Sequence, residues 1–191
     1  MKASSRGASG RFGLPSRGEI WDAVVFAAVP VHLWTYLQFF YQTPALVLRF
    51  TILDTLGVLA YVLAAALLDV VTFIGGLALL AVLLPPRFLR DQFAPAAVLI
   101  TIWTSIWAAA FHYANVIAIR LGGGSDLALV VTLGILVFLY FAVALPLPKA
   151  GVNPRVQRGA LSLIERASFL GLIFLAFDVV SLLVIAARNL I

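Results

Sequence analysis

The sequence predicts an all-α polytopic membrane bundle of five transmembrane helices, with six as the alternative. Three observations carry this. Hydrophobic residues make up 63% of the 191 positions and charged residues 11%, whereas soluble domains run nearer half apolar and about a quarter charged. Four apolar runs, at 20–41, 96–119, 125–146 and 161–187, each reach the roughly 20 residues a helix needs to cross the hydrocarbon. The third observation is the distribution of basic residues, which is plainly biased to one side of the membrane only when five helices are drawn. The absence of cysteine excludes disulfides, thiolate metal sites and Cys nucleophiles.

Residues 1–18 are small, polar and basic, with Lys2, Arg6, Arg11 and Arg17. Such a stretch cannot bury enough apolar area to fold alone, so a disordered tail is expected. The apolar run after it is too long for a signal-peptide core, and no cleavage pattern closes it. The net charge of +5 is assigned to residues flanking membrane spans; nucleic acid is not an expected partner.

The first span is 20–41, with Trp21 and Tyr41 at its two ends, where aromatic side chains anchor at the interfaces. The stretch from Thr43 to Pro86 is long enough for two crossings. Hydropathy alone would cut it near Asp69 and give six spans. Two points oppose the cut. Residues 58–74 contain no Gly, Pro or Asn, so nothing marks a turn there. The charges also disagree. With the N-terminus inside, six spans place Lys2, Arg6, Arg11, Arg17, Arg120 and Arg188 inside and the other seven basic residues outside. Five spans leave only Arg49, Arg120 and Arg188 outside, in accord with the positive-inside bias. The second span is then 58–84, stopped by Pro85-Pro86, and 44–56, interrupted by Arg49 and Asp54, becomes an amphipathic helix on the outer interface.

The third span, 96–119, is followed by Gly122-Gly123-Gly124, which breaks the helix before Ser125 and Asp126 start the fourth at 125–146. Pro146, Pro148, Gly151 and Pro154 make the only extended loop, basic and assigned to the cytoplasm. The fifth span, 161–187, leaves the C-terminus outside. The expected location is the cell (inner) membrane, with the N-terminus cytoplasmic.

Ionisable groups inside a span are expensive and mark function or helix–helix contacts. Four occur here: His32, Asp69, His112 and Asp178. Drawn on five spans they fall at one depth, about a third to a half of the way in from the outer face of a ~30 Å core. The sequence therefore predicts one inward-facing His/Asp layer across four helices. It either fixes helix packing or lines a proton or ion path. Two histidines also allow one haem b, with His32 and His112 as axial ligands. In the third span Thr101, Thr104, Ser105, Ala108, His112 and Asn115 recur every three or four residues, forming a polar face that belongs against other helices or a wet cavity. Trp103, Trp107 and Phe111 form a bulkier neighbouring stripe.

No phosphate-binding loop, HExxH, GxSxG or EF-hand spacing occurs, and the eight acidic residues are scattered rather than clustered for Mg²⁺. The leading expectation is a non-catalytic small membrane subunit or scaffold. Its partner is a larger membrane complex or copies of itself, and small-residue faces such as Ala64-Ala65-Ala66, Gly75-Gly76 and Ala108-Ala109-Ala110 suit close helix contacts. A small ion-coupled or solute carrier using the His/Asp layer is the alternative, and a lipid-modifying membrane enzyme the third reading.

Overall fold

The computed structural model describes residues 14–84, 89, 92–120, 126–144, 146–150 and 153–190, and these are helical almost throughout. Four helices are long and apolar enough to span a membrane: α1 (Arg17–Val47), α2 (Ile52–Leu83), α3 (Phe93–Arg120) and α6 (Pro154–Leu190). Between α3 and α6 lie a shorter helix, α4 (Asp126–Ala144), and a single turn, α5 (Leu147–Ala150).

Local chemistry sets the helix starts. Ser16 Oγ accepts from the Glu19 N–H at 3.2 Å, and Glu19 Oε2 accepts from the Ser16 N–H at 3.0 Å. This reciprocal capping box satisfies two donors that helix geometry would leave unpaired. It also places Arg17 and Gly18 in the first turn of α1, so the tail expected over 1–18 ends earlier; residues 1–13 lie outside the described residues. A second cap corrects the assignment of 44–56. Pro44–Val47 belong to α1, and Thr51 begins α2 by accepting from the Asp54 N–H at 3.2 Å while donating to Asp54 Oδ2 at 2.6 Å. There is no separate interfacial helix among these described residues. A short turn joins two long helices instead, and α2 starts at Ile52 rather than at 58. α2 then runs unbroken through Asp69 to Leu83, so the division into six spans has no break to support it. The stop at Pro85-Pro86 and the hairpin at Gly122-Gly123-Gly124 lie outside the described residues.

Contacts between named residues give the helix directions. Val25 and His32 of α1 meet Gly171 and Asp178 of α6, an offset of 146 residues each time, so these helices run parallel. α2 runs against both: Ala23, Ala27 and Ala28 share a core with Val70, Ile74 and Leu77, while Asp54 at the other end of α2 reaches Arg188. α3 enters alongside α1, with Phe93, Ala96, Ala97 and Ile100 in the same core, and α4 returns antiparallel to it through Tyr140. The order is up, down, up, down, up. α1, α2 and α6 form the central trio, α3 packs on α1 and α6, and α4 is held chiefly by α3.

Small residues make the trio tight. On α2 the buried side chains Leu63, Ala66, Val70, Ile74, Leu77 and Ala81 recur every three or four residues, one continuous helical stripe. On α6, Gly171 lies against the α1 backbone: a β-carbon built there would collide with the Val25 carbonyl oxygen and lie 2.8 Å from Val25 Cγ1. Only glycine allows α6 this close, the packing that small residues make possible in membrane bundles.

Candidate functional site

The close approach at Gly171 carries into the one buried ionisable contact among the described residues. Asp178, seven residues further along α6, is on the same face. Its Oδ1 lies 2.8 Å from Nε2 of His32, and both side chains have 0% exposure. His32 Nδ1 lies 2.8 Å from the Ala28 carbonyl oxygen one turn earlier. A carbonyl oxygen only accepts, so Nδ1 carries a proton and donates. That fixes the imidazole orientation and leaves one further proton shared along the Nε2···Oδ1 line. Either Nε2 donates to a carboxylate, or a carboxylic acid donates to Nε2. The ring stacks on Phe174 of α6 with centroids 5.3 Å apart and planes 10° from parallel. Tyr36 packs against the same phenyl ring at 5.8 Å. Asp178 Oδ2 is buried without a hydrogen-bond partner among the described residues.

Pro30 lies two residues before His32 and has no N–H to offer the Phe26 carbonyl. It sits inside α1 without ending it.

The structure does not assemble the expected layer of four. His32 and Asp178 meet; Asp69 and His112 do not join them. Asp69 is exposed on the outer face of α2 and makes no hydrogen bond or ion pair among the described residues. Shared depth places residues in a common slab, but helical phase decides which way each one points. Val70 faces the core at 0% exposure, so its neighbour, about 100° further round the helix, faces away. His112 is also exposed; its Nε2 lies 3.4 Å from Gln38 Nε2, and Trp34 meets its ring edge-on at 5.2 Å.

The polar face of α3 divides along its length. Thr101 is buried, its hydroxyl donating to the Ala97 carbonyl oxygen at 2.7 Å, and Ser105 Oγ donates to Thr101 O at 2.8 Å. Thr104 Oγ1 lies 2.8 Å from the Tyr140 hydroxyl, and Trp103 Nε1 donates to the Tyr140 carbonyl at 3.3 Å. These residues pin α4 to α3. Beyond Ser105 the stripe emerges onto the surface at Ala108 and His112; the Asn115 side chain lies outside the described residues. Trp103 and Trp107 stand against Tyr140, whereas Phe111 is exposed.

No family model, curated protein or solved structure matches this chain. What its residues can do is read from their geometry.

The two histidines do not fit a haem. Both ring nitrogens of His32 already form hydrogen bonds, so neither offers a free lone pair to iron without breaking the α1–α6 contact. His112 sits on the outer surface of a different helix. Among the described residues no three His, Asp or Glu side chains converge as metal ligands. The His32–Asp178 pair can orient two helices and hold one proton between them; among the described residues it has no neighbouring nucleophile hydrogen-bonded to it. Sequence reasoning identified its two residue types. It missed Gly171 and the outward direction of Asp69.

Proposed function

We propose that this chain is a small integral membrane subunit that assembles with other membrane helices through the outer face of α2, and that it has no catalytic centre of its own. One observation carries the reading: Asp69 lies mid-way along a helix of 32 residues, exposed and without a partner among the described residues, while the buried Asp178 is satisfied by His32. Seventeen residues separate Asp69 from the start of α2 at Ile52, about 26 Å at 1.5 Å per residue. Facing acyl chains, a carboxyl group at that depth has nothing to bond to, a cost of several kcal/mol by most estimates. A partner helix removes that cost. Thr72, one turn away on the same face, is likewise exposed and makes no hydrogen bond among the described residues.

The carrier reading has less support. A path lined by His32, Asp69, His112 and Asp178 needs them around one cavity, and two of them face outward. The buried pair is closed on itself. In the proposed arrangement the chain sits in the cell (inner) membrane with its N-terminus cytoplasmic and its C-terminus outside, as the basic residues favour.

Purification of the intact protein from its own membranes in mild detergent tests the proposal. A stoichiometric partner or a defined oligomer is expected, and Asp69→Leu should release it while leaving the bundle folded. A stable monomer with no companion, in detergent and in vesicles alike, would overturn the reading.

A further inference from the structure

The partner can be specified further, on the assumption that α2 is an assembly face. Val62, Ala65, Asp69, Thr72, Gly76, Leu79 and Leu83 follow one another at alternating spacings of three and four along α2. At about 100° per residue, those from Ala65 to Gly76 lie within a sector of about 60°, opposite the stripe that packs on α1 and α6. All but the half-buried Val62 are exposed, and a β-carbon added at Gly76 meets nothing within 4 Å. Alternating three-and-four spacing is the seam of two parallel helices wound left-handedly, where small residues allow close approach and a polar residue fixes the register.

We infer that a second copy of this chain occupies the seam, the two α2 helices lying parallel about a two-fold axis along the membrane normal. Donor and acceptor chemistry favours a like partner. Asp69 presents acceptor oxygens and Thr72 a hydroxyl donor three residues on. In a parallel two-fold pair each Thr72 therefore reaches the copy's Asp69, once on each side of the axis. Ala65 and Gly76, each four residues outside this polar pair, meet their own counterparts and keep the backbones close. Copies inserted the same way round present this seam in the parallel sense without further adjustment.

The chain contains no cysteine, so single introduced cysteines report contacts directly. The full chain, in native membranes, would carry Ala65→Cys, Thr72→Cys or Gly76→Cys, with Val71→Cys on the same helix and Val179→Cys on exposed α6 as controls. Mild oxidation should give disulfide-linked dimers at the three seam positions and not at the controls. Adding Asp69→Leu should weaken association in vesicles by at least about eightfold, the equivalent of two interhelical hydrogen bonds of average strength in lipid, and by more where the lipid-facing carboxyl would otherwise stay unpaired. Equal cross-linking at seam and control positions, or seam cysteines captured by a different membrane protein, would overturn the second-copy inference while leaving the subunit proposal standing. No cross-link at any position, from a protein that is monomeric in membranes, would overturn both.

Discussion

Removing one member of the His32–Asp178 pair should cost more than removing both. Asp178→Leu leaves Nε2 of His32 without a partner at a site of 0% exposure, and an orphaned buried polar group costs about 1–3 kcal/mol. His32→Leu strands a carboxyl group whose Oδ2 is already unpaired among the described residues, so it should fall at the upper end of that range. The double variant strands nothing and exchanges a polar contact for apolar packing beside Phe174. The coupling free energy is therefore favourable. Interhelical hydrogen bonds in lipid average about 0.6 kcal/mol and reach about 1.7; full burial and a 2.8 Å separation place this pair near the top. Asp178→Asn is the informative conservative change. Its side-chain N–H can donate to Nε2, because Nδ1 is committed to Ala28, so it should be much milder than Asp178→Leu. Unfolding of the four variants in mixed micelles measures the cycle. Effects that add to within about 0.5 kcal/mol would show that the pair contributes no coupling and would refute the claim that it locks α1 to α6.

Three further outcomes follow from the same geometry. Gly171→Ala must push α6 off the Val25 carbonyl and should destabilise the bundle by about 1–3 kcal/mol, as overpacking does, whereas Gly76→Ala, with open space around it, should be close to neutral for folding of the single chain; both are read in the same micelle unfolding assay. Ser16→Ala removes the α1 capping box and should cost about 0.5–2 kcal/mol, read as earlier hydrogen exchange in the first turn of α1. Tyr140→Phe deletes the hydroxyl bonded to Thr104 and should loosen α4 from α3 by about 1 kcal/mol, without altering the α1–α6 contact, as protease susceptibility of the segment after α4 would show.

Composition alone was enough to identify a membrane protein, and the lack of any turn residue around Asp69 pointed correctly to one long helix there. The charge pattern favoured five spans; the contacts give five helices of alternating direction, of which four are long and apolar enough to cross a membrane and the fifth, α4, is short. Other features were encoded less openly. The Thr51-x-x-Asp54 cap was a readable helix start, hidden because Arg49 and Asp54 look like interruptions to hydropathy. The phase of Asp69 was not readable, since α2 is apolar on nearly every side and a uniformly greasy helix gives no hint of which stripe faces inward. His32 and Asp178 stood out as residue types, but their register depends on Gly171 meeting Val25. That contact couples positions far apart in sequence and leaves no local pattern.

Assembly through α2 depends most on where residue 69 sits. A spin label attached at Asp69→Cys, in the otherwise cysteine-free chain reconstituted in vesicles, reports depth through its relative exposure to oxygen and to a water-soluble nickel chelate. Collisions with oxygen and shielding from the chelate are expected, as in the bilayer interior. Ready access to the chelate would put residue 69 in water, and the unpaired carboxyl would then need no partner at all.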